Sequence, residues 1–452
     1  MDPHLLATLL KRARQTPLDI TLHYSGFPIH YLIPPYPFAQ QIRSLDVNDA
    51  SRDDILNLSA AISGPLPLLR NLSIEDDEYS DDSHFPFAPT FPLFQGAVNV
   101  KEFLLYTFNP SSLSQFAFPN LTTFDLLVRD AWEGFSASLL LNFLEASPSL
   151  QDISIVITGN ISYNGVFRDR VLVLPCVKDF CLDTATERSS WGLATHLSCP
   201  SVERAEFWLR TTIYGYDVPE DIYPPPPQWN AIVRQYPMAM VDEVELRLAM
   251  DEELTCTINF WSSKGATLDL HYTHFIGGGP DRATILDEKI GSDVFSQASK
   301  TIRDYPQLED IRRLSIVGGG LLAGHLELTA NDVGKLLGSV GPLEGLDLEG
   351  CDLRPYLDPF LETPLFPDAI QPISFPPIKE FTIFDPIQSL CDNEAYAAAV
   401  VGLAKSQHAR GVPFERVFLP PIVPSWVVEG LSLSVNKVER GPMLPEGGGG
   451  QT

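Results

Sequence analysis

The sequence has few cysteines, few cations and no long apolar run. Its six cysteines form no C-x-x-C pair and are too scattered along 452 residues to build a disulfide framework. No stretch reaches the roughly 18 consecutive apolar residues that a membrane-spanning helix needs. The apolar run before Lys11 is only about six residues long, which is too short for a signal peptide. We therefore expect a protein of a reducing compartment, cytoplasmic or nuclear, with no membrane partner.

The scarcity of cations restricts the classes of partner. The chain has 31 Lys and Arg against 58 Asp and Glu, a formal charge of -27 at pH 7. A surface of this sign repels nucleic acid and anionic lipid, so no nucleic-acid partner is expected. Part of the charge serves solubility. Where charge selects a partner, that partner is expected to be a basic protein.

A short apolar pattern recurs along the chain. The segment LEGLDLEGCDL at 343–353 matches the leucine-rich-repeat template at every fixed position. The core of this pattern is an apolar residue, two others, an apolar residue, one other and a further apolar residue. It recurs as IRSLDV at Ile42, LRNLSI at Leu69, VKEFLL at Val100, LTTFDL at Leu121, LQDISI at Leu150, VKDFCL at Val177, VERAEF at Val202, VDEVEL at Val241, IRRLSI at Ile311, IKEFTI at Ile378 and FERVFL at Phe414.

The spacing and the intervening segments indicate repeated strands and helices. Successive fourth positions from Leu45 to Ala205 are separated by 27, 31, 21, 29, 27 and 25 residues, and later units are longer. Helices are expected from Asp53 or Asp54 to the Gly64-Pro65 pair, from a Ser136 or Ser138 cap to the Ser147-Pro148 pair, from Asn331 onward, and from Asn393 to Ala409. We therefore predict an α/β fold: an irregular leucine-rich-repeat-like solenoid (horseshoe) of about twelve units, with a parallel concave sheet and helices on the convex side.

The pattern weakens in the middle of the chain. We divide the sequence into an N-terminal array at 1–209, irregular repeats with a Pro-rich insertion at 210–310, C-terminal repeat units at 311–440 and a flexible tail at 441–452. The YPPPPQW stretch is incompatible with a central strand, and LDLHYTHF at Leu268 is a candidate degenerate repeat between VDEVEL and IRRLSI. The acidic stretch from Glu75 is expected to be a surface loop.

Two segments have residue spacings that resemble a nucleotide-binding site or a metal site. An apolar strand followed by Gly318, Gly319, Gly320 and Gly324 resembles a dinucleotide-binding turn, but no clear acidic-ended second strand follows about 20 residues later. A nucleotide-binding enzyme using this Gly-rich turn at 318–324 is therefore the alternative function. His271 and His274 have H-x-x-H spacing, but residues three apart on a strand face opposite sides. We expect no catalytic residue, no cofactor and no metal.

With its repeats, the chain resembles the fungal F-box-like proteins of mushroom-forming fungi. The resemblance rests on LLATLLKRARQTPLDITL at Leu5, on SPSLQDISI and on the degenerate repeats. It implies a substrate-recognition region of a cullin-type ubiquitin ligase. An N-terminal F-box of about forty residues would bind the ligase adaptor, but the repeat pattern begins within about twenty residues of Met1. An adaptor is therefore expected as a partner only if an F-box lies outside this chain.

These observations predict a non-catalytic scaffold for protein–protein interaction, with its partner on the concave sheet. In each strand the residue between the two inward apolar positions, and the residue after them, are expected to face that surface. The candidate contact residues are Ser73, Glu75, Ser154, Val156, Asp347, Glu349, Thr382 and Phe384.

Overall fold

The structure is a computed structural model with two compact units, Met1–Arg210 (unit 1) and Thr211–Thr452 (unit 2). The residues that it describes are 16–23, 40–62, 65–76, 94, 96–107, 113–114, 116–163, 170–184, 190–212, 229–236, 241–250, 253–275, 294–305, 310–320, 336–340, 343–349, 377–384 and 394–441. The fold is mixed α/β, and within each unit the strands of a large sheet pair mostly in parallel.

The sheet of unit 1 has eight parallel strands in the order β1-β2-β3-β4-β5-β6-β8-β10. A short pair, β7 and β9, lies apart from it. The strands are β1 (Leu18–His23), β2 (Ile42–Ala50), β3 (Asn71–Asp76), β4 (Glu102–Thr107), β5 (Thr123–Ser136), β6 (Asp152–Ser162), β7 (Leu172–Val173), β8 (Asp179–Thr184), β9 (Leu197–Ser198) and β10 (Arg204–Thr212).

Unit 2 contains eight further strands in the order β13-β12-β11-β14-β15-β16-β17-β18. These are β11 (Val241–Met250), β12 (Glu253–Ser262), β13 (Thr267–Phe275), β14 (Arg313–Gly320), β15 (Leu343–Glu349), β16 (Ile378–Phe384), β17 (Arg416–Leu419) and β18 (Lys437–Arg440). The longer helices of the described residues are α1 (Arg52–Ala61), α2 (Ala137–Glu145) and α3 (Ser190–Thr195) in unit 1, and α4 (Trp229–Gln235), α5 (294–303), α6 (Glu394–Ala409) and α7 (Ser425–Ser432) in unit 2. Residues 336–339 are also helical, within the segment predicted to be a helix from Asn331, whose start lies outside the described residues.

All twelve segments with the recurring pattern contain strands, and these strands are in register. The fourth residue of each pattern pairs with the fourth residue of its sheet neighbour, as Leu45 does with Leu72 and Leu346 with Phe381. The fourth and sixth positions are buried, because both point to the same face of the strand. The spacing of apolar residues in the pattern therefore sets both the position of each of these strands and its register with its neighbours.

In six places a shared backbone carbonyl links one strand segment to the next. The Arg70 carbonyl accepts the N–H groups of Lys101 and Glu102 at 2.7 and 3.0 Å. A carbonyl oxygen has two lone pairs, so one oxygen can hold both donors and start the next strand in register. The acceptors of this kind are the carbonyls of Arg70, Lys101, Thr122, Gln151 and Lys178 in unit 1 and of Arg312 in unit 2.

A tight turn precedes most strands of unit 1. In each turn the N–H of the anchoring apolar residue bonds to the carbonyl three residues earlier; for example, Leu121 N–H bonds to the Phe118 carbonyl at 3.1 Å. The other pairs are Leu69 with Leu66, Val100 with Ala97, Leu150 with Ser147 and Val202 with Cys199. Proline follows the first residue in four of these five turns, as Pro119 does, because its fixed φ suits that position.

Aromatic rings fill the core of unit 1 where the strands meet α2. The Phe103 ring lies 4.8 Å from Phe116, 5.1 Å from Phe118, 5.9 Å from Phe124 and 6.0 Å from Phe143, measured between centroids. All five side chains are buried. Phe103 therefore joins two neighbouring strands, the segment between them and a helix.

Two helix starts differ in detail from the expectation. The first helix begins one residue after Ser51, whose hydroxyl accepts the Asp54 N–H, while the Asp54 carboxylate accepts the Ser51 N–H. Asp54 is thus the return partner of a capping box, and the predicted start at Asp53 or Asp54 was late by one or two residues. Ser136 precedes α2 as expected, but its hydroxyl lies against Ser138 Oγ at 2.9 Å and makes no cap bond. The helix predicted from Asn393 runs from Glu394 to Ala409.

The strands of the central region differ from the prediction. We expected all strands to be parallel and LDLHYTHF to lie between VDEVEL and IRRLSI. Instead β12, which was not predicted, runs antiparallel to both β11 and β13, and β11 pairs directly with β14. A tight turn in which Gly265 has φ +88 reverses the chain between β12 and β13 and makes these two strands antiparallel. β12 itself pairs with β11 on the side away from β14.

We predict that Phe103→Ala lowers the free energy of unfolding by about 3–5 kcal/mol, because it removes a buried ring from the aromatic core. Leu104→Ala, at the next position but half-buried on the other face, is the control, and we expect it to cost about 1 kcal/mol. Urea unfolding of the full chain, followed by circular dichroism, measures both. Equal losses for the two variants would contradict the assignment of Phe103 to the core.

Candidate functional site

The face of the unit 1 sheet opposite the buried positions carries two rows of side chains, which together we call the open face. Row A runs across the strands as Ser73, Leu104, Asp125, Ser154, Cys181 and Glu206. Row B runs beside it as Glu75, Tyr106, Leu127, Val156, Asp183 and Trp208. All are half-buried except Asp183, which is buried. The pairing that aligns the core therefore aligns these rows as well.

The structure places the four candidate contact residues of unit 1 on the open face. Ser73 and Ser154 lie in row A, and Glu75 and Val156 lie in row B. The sequence reasoning omitted most other members of the two rows, although the same alternation identifies them. The most informative of these are Tyr106, Asp125, Cys181, Asp183 and Trp208.

Asp125 is the central acidic group of row A. The Ser154 hydroxyl donates a hydrogen bond to it, but burial outweighs this bond and raises the pKa of the Asp125 carboxyl above its usual value. Within the part of the chain that the structure describes, no ion pair involves Asp125 or Glu75. Both carboxylates also raise the pKa of the nearby Tyr106 phenol, for which burial is the larger cause. Negative charge on this surface is thus only partly balanced.

The other end of the rows contains an acidic and aromatic group. Arg210 donates to Asp183 at 2.7 Å, and its guanidinium lies 5.6 Å from the centroid of the Trp208 ring. The Trp208 indole N–H donates to Glu206 at 2.6 Å. The three polar contacts hold the indole in one orientation, so the surface is preorganised at β8 and β10.

Cys181 lies between these carboxylates. Burial raises the pKa of its thiol to about 12, with additional contributions from Glu206, Asp183 and Asp125. A thiol with so high a pKa is protonated at neutral pH, and only the thiolate is a strong nucleophile. The Cys181 thiol is therefore a poor nucleophile at neutral pH.

The corresponding face of unit 2 is neutralised by ion pairs. Arg313 Nε donates to Asp347 at 3.0 Å, and its second nitrogen bonds to Glu380 at 3.2 Å. Arg416 bridges Glu380 and Glu439, each at 3.4 Å. Lys437 also binds Glu439. Three cations and three carboxylates thus alternate along one chain of contacts, which runs from Asp347 through Arg313, Glu380, Arg416 and Glu439 to Lys437.

Gly345 makes this ion-pair ladder possible. It lies in β15 directly between Arg313 and Glu380, its partners in the two neighbouring strands. A Cβ at this position would be 2.9 Å from Arg313 Nε. Because glycine has no side chain, the guanidinium can cross β15 and reach a carboxylate two strands away.

The candidate contact residues of unit 2 therefore lie in a different environment from those of unit 1. Asp347 is bound to Arg313, and Thr382 is half-buried beside it in the sheet. Glu349 is exposed and has an interaction with another residue. Phe384 pairs with Glu349 in the sheet, but its side chain lies outside the described residues.

The Gly-rich segment considered for nucleotide binding and the H-x-x-H segment considered for metal binding both lie in strands. Gly318, Gly319 and Gly320 pair with Leu248, Ala249 and Met250, so the proposed glycine turn is wrong at these three positions. Continuous pairing with β11 explains the difference, and Gly324 lies outside the described residues. His271 and His274 lie in β13, where His271 Nδ1 is 3.3 Å from the Thr257 hydroxyl.

We predict that Cys181 resists alkylation in the native protein at pH 8, whereas the exposed Cys176 reacts. Iodoacetamide labelling followed by peptide mass spectrometry measures both sites in one sample. Labelling in urea is the control, and both thiols should then react. Fast labelling of native Cys181 would contradict its protonated, half-buried state.

We predict that Gly345→Ala displaces the Arg313 guanidinium and lowers the free energy of unfolding by about 0.5–1 kcal/mol, the usual size for a partly exposed ion pair. A double-mutant cycle with Glu380→Gln measures the coupling. The cost of Glu380→Gln should fall in the Gly345→Ala background. Strict additivity would show that Gly345 is unrelated to the bridge.

Comparisons with protein-family models, with curated proteins and with solved structures each found no match. Among the described residues, no helix combines the length and the apolar character needed to cross a membrane. The candidate function therefore depends on the geometry of the open face.

Proposed function

We propose that the chain is a non-catalytic scaffold for protein–protein interaction, built as a leucine-rich-repeat-like solenoid, and that a partner protein binds the open face of unit 1. The main support is the register of the sheet, which aligns two rows of six side chains across six neighbouring strands. Repeat arrays use such extended surfaces for recognition, because each unit contributes the same positions.

The composition of the open face also supports binding. Carboxylates at Glu75, Asp125 and Glu206 alternate with the apolar Leu104, Leu127 and Val156 and with two aromatic side chains. Apolar and aromatic groups supply buried area on association, while charges select the partner. The acidic groups favour a basic partner, in agreement with the charge of the whole chain.

The resemblance to fungal F-box-like proteins adds a biological role to this proposal. In that role the scaffold is the substrate-recognition region of a cullin-type ubiquitin ligase. An F-box in the same protein or in an associated one would supply the adaptor contact. The order of strands and helices in unit 1 is compatible with this role, and the partner has to be identified by experiment.

We predict that partners captured from a lysate of a mushroom-forming fungus depend on the open face. The full chain serves as bait in three forms: unchanged, with Glu75→Lys and Val156→Lys in row B, and with Glu415→Lys and Leu433→Lys on exposed positions of unit 2. The two double variants change the charge equally. A partner of the open face should fall at least about tenfold with the row B variant, equivalent to about 1.4 kcal/mol, and be retained by the control.

Quantitative mass spectrometry of the captured proteins is the measurement, with ligase subunits scored separately. Circular dichroism confirms that each bait is folded. If every reproducible partner is retained by the row B variant, the open face is not the binding surface. Ligase subunits that are recovered with all three baits would indicate that the adaptor contact lies elsewhere on the chain.

A further inference from the structure

The tight turns that lead into β3 and β4 carry a group of exposed cationic and apolar side chains, which we call the edge patch: Leu68, Arg70, Val98 and Lys101. The two turns are adjacent, because Lys101 N–H donates to the Arg70 carbonyl at 2.7 Å and Asn99 Nδ2 donates to the Pro67 carbonyl at 2.9 Å. All four side chains of the patch are exposed, whereas those of the open face are half-buried or buried. A partner therefore reaches the edge patch without entering the sheet surface.

The two cations of the edge patch differ from the other cations at the same position of the recurring pattern. The second position of the pattern is Arg or Lys in six segments. Four of these cations form ion pairs with carboxylates: Arg43, Lys178, Arg312 and Lys379. Within the part of the chain that the structure describes, no ion pair involves Arg70 or Lys101.

The neighbouring side chains explain why these two cations have no internal counter-charge. The Glu102 carboxylate, next to Lys101 in the sequence, accepts the Asn71 amide at 2.6 Å. Thr122, at the next second position across the sheet, donates its hydroxyl to the Lys101 carbonyl at 3.0 Å. Arg43, on the other side, is itself a cation. Two like charges thus start from chain segments about 4.8 Å apart, and a carboxylate from outside would be attracted by both.

Two exposed apolar side chains lie close to these cations. Leu68 is 39% exposed and precedes Arg70 by two residues, and Val98 is 50% exposed and precedes Lys101 by three. The other four tight turns of unit 1 have proline at the position of Val98. A single short segment can therefore contact positive charge and apolar surface together.

The charge of the whole chain restricts which anion binds at the edge patch. A formal charge of -27 repels nucleic acid and anionic lipid, in which negative charge is dense and repeated. A protein segment with only two carboxylates experiences less of this repulsion. It also supplies an apolar side chain for Leu68 and Val98, which a phosphate backbone lacks. The chemistry of the patch thus favours a protein segment over a polyphosphate.

We propose that the edge patch binds a short acidic segment of a partner protein, in which two carboxylates contact Arg70 and Lys101 and an apolar side chain packs against Leu68 and Val98. The Arg70 guanidinium can hold a carboxylate through two parallel hydrogen bonds. The inference goes beyond the proposed function, because none of these four residues belongs to the open face.

The test uses short fluorescent peptides rich in Ala and Ser. The first peptide contains two glutamates and, three positions away, a leucine. The second has serine in place of the leucine, and the third has glutamines in place of the glutamates. A labelled thymidine trinucleotide supplies two phosphates without an apolar side chain of this kind.

Fluorescence anisotropy with the full chain gives the dissociation constants at physiological salt, where long-range repulsion by the acidic chain is screened. We expect the first peptide to bind about tenfold more tightly than each of the other three probes. Equal binding of the first and third peptides, or of the first peptide and the trinucleotide, would overturn the inference.

Matched charge variants separate the patch from other cations of the chain. Arg70→Gln with Lys101→Gln should reduce the affinity of the first peptide to that of the third. Lys264→Gln with Lys405→Gln removes two exposed cations of unit 2 and should have no effect. Lys101→Glu alone should also abolish the preference for the first peptide, and it provides a second variant if the first pair does not fold. Equal effects of the two neutralising pairs would contradict the proposal.

A second matched pair tests the apolar contact. Val98→Ser should reduce the affinity of the first peptide to that of the second. Val173→Ser makes the same change at a side chain that is 55% exposed elsewhere in unit 1, and it should have no effect. Circular dichroism confirms that each variant is folded. Unchanged binding to the folded Val98→Ser variant would overturn the apolar part of the inference.

Failure of this inference is distinguishable from failure of the proposed function. If the peptides do not discriminate but the lysate partners depend on row B, the edge patch is not a binding surface and the open face still is. If the peptides behave as expected and the lysate partners ignore row B but are lost with Arg70→Gln and Lys101→Gln, the open-face proposal fails and the edge patch is the binding surface.

Discussion

The backbone carbonyl that is shared at the start of successive parallel strands is the interaction on which the rest of the structure depends. One oxygen, such as that of Arg70, accepts two N–H groups from the start of the next strand. This contact fixes where pairing begins, and a parallel strand in the wrong register would turn its apolar residues toward solvent. Every later feature, from the aromatic core to the two rows of the open face, follows from strands that start at the same point.

Alternation along each strand converts this register into two different surfaces. One face takes the fourth and sixth residues of every pattern and becomes the core, with Phe103 joining its elements. The other face carries the residues that lie between and directly after these buried positions. Because parallel neighbours place like positions side by side, carboxylates that are remote in sequence, such as Asp125 and Glu206, share one row.

The two units differ in how far the carboxylates on this face are paired with cations. In unit 2 the ladder from Arg313 to Lys437 balances the carboxylates internally, and Gly345 is needed for its longest step. In unit 1 burial raises the pKa of the Asp125 carboxyl, and among the described residues the Ser154 hydroxyl is the group that donates a hydrogen bond to it. Partly buried carboxylates with little compensation reduce stability in the charged form.

The apolar pattern by itself identified twelve of the strands and the face that each of their side chains takes, because period-two burial is a local property of the chain. Four of the five tight turns that precede strands in unit 1 contain a proline such as Pro119, a local signal of which the sequence analysis named the Ser147-Pro148 pair. Tertiary structure alone decided the place of β12 and β13, since β11 takes β14 as its parallel neighbour on one side and β12 as its antiparallel neighbour on the other. It also decided which acids are neutralised, because Arg313 reaches Glu380 only when β14, β15 and β16 are side by side. Such contacts join residues far apart in sequence, and no local pattern encodes them.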